Sequence, residues 1–99
     1  MQVIDVLYGV NDEVYKVVGG KWDREKRVYK NYIIEKYRIR SISISCNSKG
    51  EWKKSYRAQH VIDDETTNYG INFKEIDVGK YVFTNYEDAE KKCEEMNRN

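Results

Sequence analysis

Proline is absent from this sequence of 99 residues, and leucine, alanine and histidine are scarce, with one, two and one residue respectively. Leucine and alanine favour helices most strongly among apolar residues, so their scarcity excludes a predominantly helical domain. No apolar run approaches the roughly 20 residues that a membrane-spanning helix needs. A membrane span is therefore not expected.

The apolar residues that are present have the composition of β-strands. Ten valines, nine isoleucines and thirteen aromatic residues supply most of the apolar surface, and β-branched and aromatic side chains pack well on a pleated sheet. The abundance of aromatic residues also argues against intrinsic disorder. A chain of this length supports one hydrophobic core, so we expect a single domain over residues 1–99.

The two cysteines give no indication of a metal or redox site. Cys46 and Cys93 lie far apart in the sequence, without C-x-x-C spacing or a neighbouring histidine. We therefore expect no metal and no cofactor. The sequence starts at Met1 without a leader of basic, apolar and small residues, so a reduced, cytoplasmic protein is expected.

The first 30 residues predict two strands and a loop. Residues 2–8 have apolar side chains at both odd-numbered and even-numbered positions, as in a strand covered on both faces. Residues 14–18 are predicted to form a second strand. Gly19 and Gly20 then permit positive φ in a turn. The polar segment 23–27 predicts a solvated loop.

The longest strand signal, 32–46, changes phase in its middle. Because a slip of one residue turns every side chain to the other face, one strand needs a β-bulge or bend near Arg40 and Ser41 to keep both apolar sets inside. The odd-numbered set is followed by the even-numbered one: Ile33, Tyr37 and Ile39, then Ile42, Ile44 and Cys46.

A hairpin is predicted to follow, with its turn at 47–50 and a glycine in the left-handed position of a G1 bulge. In that register Cys46 lies opposite Trp52. Four residue pairs further along, Ile42 lies opposite Tyr56. Aromatic side chains opposite such residues are favourable cross-strand pairs, so the register is self-consistent.

The next segments alternate between strands and polar connections. We predict a strand at 51–58, a polar connection at 63–68, a half-buried strand around 69–73, a turn at 76–79 and a short last strand at 81–83.

The C-terminal residues predict a helix over about 85–97. Thr84 and Glu87 have the spacing of a capping box, in which a hydroxyl and a carboxylate satisfy amides at the helix start. The apolar stripe of this helix is Tyr86, Ala89, Cys93 and Met96.

These signals together predict an α+β fold that is mostly β. We expect strands over about 2–83 that form a strongly bent antiparallel sheet of about five strands, SH3-like or half-barrel. The C-terminal α-helix covers one side of it.

The net charge of +1 conceals a segregated distribution. The charge is −2 over residues 1–20, +8 over 21–57 and −5 over 58–99. The basic block interleaves cations, which neutralise phosphates, with aromatic rings, which stack on bases, as is typical of single-strand nucleic-acid binding. The alternative is that the aromatics are core and the cations form a solvated strand face. The candidate partner-binding residues are Trp22, Lys36, Arg38, Arg40, Trp52, Lys53, Tyr56 and Arg57.

The acidic block offers a second candidate surface. Carboxylates cluster on the predicted helix, where a ridge of negative charge can imitate a phosphate backbone. The first two also complement the helix dipole, and a merely solvated helix is the simpler interpretation. The residues of this alternative surface are Glu87, Asp88, Glu90 and Glu94.

Catalysis has little support in the sequence. His60 is the only histidine, and a general acid–base pair would need Asp63, Asp64 or a serine to converge on it. The adjacent acids match no ordered metal spacing. Residues 19–21 are not a phosphate loop, because the required spacing and the following helix are missing. We expect no enzyme.

Two stretches of the chain carry a resemblance to known proteins. The segment 76–90 reads I-D-V-G-K-Y-V-F-T-N-Y-E-D-A-E, and 33–42 reads I-I-E-K-Y-R-I-R-S-I. The first resembles the ending, and the second the central strand, of small proteins encoded by phages and mobile elements of Gram-positive bacteria. The resemblance implies a small β-barrel-like domain with a C-terminal helix and no catalytic residues.

That resemblance also implies a functional context, because such small proteins often block host defence machinery, including CRISPR nucleases. The first functional hypothesis is a non-enzymatic, phage-encoded, stoichiometric inhibitor, of the anti-CRISPR type, that binds a host nucleic-acid-handling protein. The second is a small module that binds nucleic acid directly through the basic-aromatic residues.

Overall fold

The computed structural model describes residues 5–98, which form a strand-rich structure with one C-terminal α-helix. The elements are β1 (Glu13–Val18), β2 (Lys21–Asp23), β3 (Val28–Lys30), β4 (Ile33–Cys46), β5 (Trp52–Ile62), β6 (Glu65–Lys74), a 3-10 helix (Glu75–Asp77), β7 (Val82–Phe83) and α1 (Tyr86–Asn97).

Within residues 5–98, five strands form one antiparallel sheet in the order β6-β5-β4-β1-β7, while β2 and β3 pair only with each other. The edge strands β6 and β7 do not pair with one another, so the sheet is open and does not close into a barrel. The predicted class, a mostly β α+β fold with about five antiparallel strands and a C-terminal helix, is confirmed.

β4 contains the β-bulge that the phase change predicts. Ile39 pairs with Ala58 of β5. The next pair joins Ser41 to Arg57, so Arg40 has no partner in the ladder. One extra residue on one strand is the definition of a bulge, and it restores a common face for the apolar residues on either side.

The hairpin between β4 and β5 has the predicted register. Cys46 pairs with Trp52, and Ile42 pairs with Tyr56. Gly50 has a φ of 81°, a left-handed conformation that glycine adopts without steric cost. The turn therefore forms as the sequence indicates.

Both faces of the sheet carry a hydrophobic cluster. We call one face the tyrosine face, because three buried tyrosines pack there. Its cluster comprises Tyr8, Val14, Tyr37, Ile39, Tyr56, Ala58, Phe73 and Val82. We call the opposite one the helix face, because α1 packs on it. Its cluster comprises Val17, Phe83, Ala89 and Cys93.

The C-terminal helix lies where it was predicted, but its cap is different. Asn85 is the N-cap, and its side-chain oxygen accepts a hydrogen bond of 2.9 Å from the N–H of Asp88. The predicted capping box of Thr84 and Glu87 is wrong, because the Thr84 hydroxyl instead lies 2.8 Å from the hydroxyl of Tyr8. Thr84 therefore joins the helix start to the tyrosine face.

Two further predictions in the first 30 residues need correction. Of the predicted strand at 2–8, residues 2–4 lie outside the described residues, and 5–8 are not a strand. Neither Gly19 nor Gly20 has a positive φ. A Cβ on Gly19 would lie 2.5 Å from the Tyr29 ring, so this glycine provides space rather than a turn.

The predicted polar connection at 63–68 is also wrong. β5 and β6 are joined by a two-residue turn, Asp63 and Asp64, with φ values of 52° and 64°. Positive φ at both central residues is typical of the tight turns that suit the strand twist. The residues after this turn, from Glu65 onward, belong to β6.

Deletion of Arg40 is the sharpest test of the bulge. Removing this residue would leave 41–46 one position out of phase, so that the apolar residues there would turn to the helix face. We expect the deletion to lose cooperative unfolding, measured by circular dichroism during urea titration. Arg40→Ala keeps the extra residue, and because Arg40 is exposed we expect a change within about 0.5 kcal/mol. A deletion variant as stable as Arg40→Ala would contradict this role.

Candidate functional site

The long hairpin projects beyond the part of the sheet that α1 covers. β1 pairs only with Ile33–Arg38 of β4, whereas β5 continues the pairing to Cys46. The helix contacts β1, β7 and β4. The molecule is accordingly elongated, with principal extents of 54 × 33 × 24 Å. We call the projecting part, residues 41–46, 52–57 and 71–74, the distal arm.

The tyrosine face of the distal arm ends in exposed apolar side chains. Ile44 is 42% exposed and Trp52 is 40% exposed, and Cys46 lies exposed opposite Trp52. Ile76, in the 3-10 helix after β6, is 71% exposed. We call these four residues the apolar tip. Grouped exposed apolar residues mark an interaction surface, whereas single ones need no explanation.

A recess of about 450 Å³ lies beside the apolar tip. The last pair between β5 and β6 joins Ser55 to Lys74, so β5 continues to Trp52 beyond its neighbour. The side chains lining the recess include Trp52 and Ile76 together with cations. Lining residues are Ser45, Trp52, Lys53, Lys54, Ser55, Lys74, Glu75 and Ile76.

The helix face of the distal arm is chemically different from the tyrosine face. Strand alternation places a set of hydroxyl, amide and cationic side chains there, without an apolar or acidic residue among them. We call this set the polar face. Its residues are Ser41, Ser43, Ser45, Lys53, Ser55, Arg57, Asn72 and Lys74.

Tyr56 belongs to the core and presents no surface to a partner. Its side chain is 1% exposed. Its hydroxyl donates to a Glu75 carboxylate oxygen at 2.7 Å and accepts from the Leu7 N–H at 2.9 Å. Burial, reinforced by the bond to Glu75, raises the pKa of Tyr56. Tyr56 thus links the N-terminal segment, β5 and the 3-10 helix.

Lys36 and Arg38 are engaged within the protein. The Lys36 Nζ and the Arg38 guanidinium each lie 3.2 Å from the same Glu13 carboxylate oxygen. Burial acts to raise the pKa of Glu13, but these two cations outweigh it and the pKa is lowered. Both cations are therefore partly neutralised at the junction of β1 and β4.

The remaining predicted partner-binding residues lie on separate surfaces. Trp22 is 50% exposed on the β2–β3 hairpin, in edge contact with Tyr29 at 5.0 Å between ring centroids. Arg40 is exposed at the bulge. Lys53 and Arg57 are exposed on the polar face. The eight residues that the sequence grouped do not form one basic-aromatic surface.

His60 lies in a small cluster of titratable side chains. Its Nε2 lies 3.6 Å from one Glu35 carboxylate oxygen, and the other Glu35 oxygen accepts a hydrogen bond of 2.9 Å from the Tyr37 hydroxyl. Burial, followed by the interaction with Glu35, raises the pKa of Tyr37. Glu35 thus joins the two rings, which lie 5.2 Å apart between centroids. Within residues 5–98, no group of three or more His, Cys, Asp or Glu side chains is placed to hold a metal ion.

The acidic residues of α1 are exposed, as a solvated helix surface requires. Glu87 and Asp88 lie in the first turn, where negative charge complements the helix dipole. Glu90 and Glu94 lie further along the helix. Ala89 and Cys93 face the sheet, and the Cys93 thiol donates to the Tyr32 carbonyl at 3.0 Å.

The residues of the apolar tip and the polar face were only partly identified from the sequence. The sequence pattern predicts Ile44 in the core and Ile76 in a turn, so it identifies neither as a contact residue. The alternation S-I-S-I-S at 41–45 does indicate a strand with one hydroxyl face and one apolar face. What it does not give is which of the two faces the rest of the chain covers.

Comparisons with protein-family models, with curated proteins and with solved structures found no match. No helix in the described part of the chain is both long and apolar enough to cross a membrane.

The bond network around Tyr56 predicts a pH-dependent stability. Burial acts to raise the pKa of Glu75, but hydrogen bonds from Tyr56, the Leu7 N–H and Lys54 outweigh it and lower the pKa. A carboxylate with a lowered pKa stabilises the folded state above its unfolded pKa of about 4.3, and this contribution is lost as the pH falls through the folded value. Glu75→Gln should therefore cost about 1 to 2 kcal/mol at pH 7, and less at pH 3.

Urea unfolding at a series of pH values measures this difference. Glu51→Gln is the matched control, because Glu51 is exposed and its side chain makes no bond among the described residues. A Glu75→Gln variant whose deficit stays constant from pH 7 to pH 3 would show that the ionised carboxylate is not the stabilising group.

Proposed function

We propose that this chain is a non-enzymatic binding protein that acts in the cytoplasm as a stoichiometric inhibitor of a host nucleic-acid-handling defence protein, such as a CRISPR effector. The observation that carries the proposal is the apolar tip, held on a hydrogen-bonded hairpin. The phage origin and the class of partner rest on the sequence resemblance.

The apolar tip has the features of the centre of a protein–protein contact. A few large side chains supply most of the energy of such contacts, and tryptophan is the residue most enriched among them. The Trp52 backbone is held by its ladder pair with Cys46, so little backbone entropy is lost when the side chain is covered. The tip is therefore suited to insert into an apolar recess of a partner.

The surroundings of the tip indicate the charge of that partner. Lys53 and Lys74 line the recess beside Trp52 and are exposed, while Lys54 is paired with Glu75 at 3.2 Å. Exposed cations at the rim of an interface steer association towards a negatively charged surface. We therefore expect a partner surface with an apolar centre and negative charge around it.

The decisive variant is Trp52→Ser. Loss of one central tryptophan costs about 2 kcal/mol or more, which corresponds to a roughly 30-fold weaker complex. Tagged wild-type protein would be incubated with nuclease-treated extract of a Gram-positive host, and the captured protein identified by mass spectrometry and purified. We expect titration calorimetry to give a one-to-one complex that inhibits the partner, and Trp52→Ser to weaken it by that factor.

Trp22→Ser is the matched control, because Trp22 is comparably exposed but lies on the separate β2–β3 hairpin. It should bind as the wild type does. A partner that is lost with Trp22→Ser and retained with Trp52→Ser would place the contact on the other hairpin. A partner that is lost only on reversal of Glu87, Glu90 and Glu94 would place it on α1.

A further inference from the structure

The polar face has the residue chemistry of a phosphate-binding surface. Its three cations, Lys53, Arg57 and Lys74, are exposed. Among the described residues none of the three has a side-chain ion pair, in contrast to Lys36 and Arg38. Two acidic residues lie nearby in the 3-10 helix: Glu75 is paired with Lys54, and the pKa of Asp77 is lowered by the bond from the Lys74 N–H and by the Lys80 and Lys74 charges. The face is therefore positively charged.

The strand register distributes these cations among neutral donors. Arg57 pairs with Ser41 on one side and with Asn72 on the other. Ser55 lies between Ser43 and Lys74 in the same way. Neighbouring strands are about 4.8 Å apart, and same-face residues on one strand about 6.8 Å apart. Each cation therefore has a hydroxyl or amide donor within the reach of one phosphate group.

We infer that the polar face binds the phosphodiester backbone of a nucleic-acid duplex. Arginine, lysine, serine and asparagine side chains supply the hydrogen bonds that proteins make to phosphate oxygens. Lysine and serine are by contrast depleted at protein–protein interfaces, whose centres are apolar. Because this face has no apolar residue, its charge and its donors complement a polyanion better than they complement the surface of an acidic protein.

The absence of aromatic residues from this face favours a duplex over a single strand. Single-strand binding needs aromatic rings on which unpaired bases stack. Trp52, the exposed ring of the distal arm, lies on the tyrosine face, whereas Lys53 and Arg57 lie on the opposite face of the same strand. The duplex would thus be held by contacts to its backbone alone, which carry no sequence preference.

The acidic helix limits the extent of this contact. α1 packs on the same side of the sheet, at β1 and β7, whereas the polar face lies on the distal arm. A duplex on this side would meet exposed carboxylates, such as Glu90 and Glu94, if it extended over the helix. We therefore expect contact with about three phosphates. Neutralising three phosphates gives a salt slope of roughly −2.7, so affinity should fall about 40-fold between 50 and 200 mM salt.

Fluorescence anisotropy with a labelled DNA duplex of mixed sequence tests the inference. The test variant combines Lys53→Ser, Arg57→Ser and Lys74→Ser. The control variant combines Lys26→Ser, Lys80→Ser and Lys91→Ser, which change the net charge equally at exposed positions outside the face. We expect the test variant to lose most of the binding and the salt slope, and the control to retain both.

Each single substitution on the polar face should lower the slope by about 0.9, so the inference stays testable if the triple variant does not fold. Circular dichroism monitors folding. No duplex binding by the wild type at 20 mM salt, or equal loss in test and control variants, would overturn the inference. A preference for single strands that Trp52→Ser abolishes would also overturn it. Trp52→Ser should weaken the proposed protein contact but leave duplex binding intact. Failure of the proposed protein contact can therefore be distinguished from failure of the duplex inference.

Discussion

The structure depends on one constraint, the phase of the side chains along β4. This strand has fourteen residues, and among the strands within residues 5–98 it alone pairs with both β1 and β5. Without the extra residue Arg40, its two apolar halves would point to opposite faces. The bulge places Tyr37, Ile39 and Ile42 on the tyrosine face, and it places Ser41 and Ser43 on the other. The cross-strand pairs with β5 then carry this division to the next strand.

The exposed surfaces follow from a difference in strand length. β1 has six residues and can cover only the first part of β4, while β5 has eleven residues and follows the rest. Since α1 packs against the β1 side, the helix face of the distal arm has no cover from it. On the tyrosine face, cover comes instead from Tyr8 and the segment around Glu75, which are joined to Tyr56 by ring contact and a hydrogen bond. This cover ends before Trp52, which is why the apolar tip is exposed.

Local signals in the sequence were sufficient for much of the fold. The bulge, the register at Cys46 and the short strand before α1 were predicted, because each depends on residues close in sequence. The errors at residues 5–8 and at the helix cap arise where distant residues decide. The Tyr56 hydroxyl bonds to the Leu7 N–H, 49 residues away, and the Thr84 hydroxyl to Tyr8, 76 residues away. For the site, the sequence identified the basic block and its aromatics. Composition alone could not show that Tyr56 is buried or that Trp52 and Lys53 point to opposite sides.

Because Trp52 and Lys53 lie on opposite faces of β5, the distal arm has two surfaces of different chemistry. A strand that is uncovered on both faces presents alternate residues to opposite sides. In β5, Trp52 belongs to one surface, and Lys53 and Arg57 belong to the other. The two proposals together describe a partner assembly that has an apolar recess and a bound phosphate backbone. An arm inserted between them would satisfy both surfaces at once, and the linkage of the two weak contacts would raise the overall affinity without any new contact.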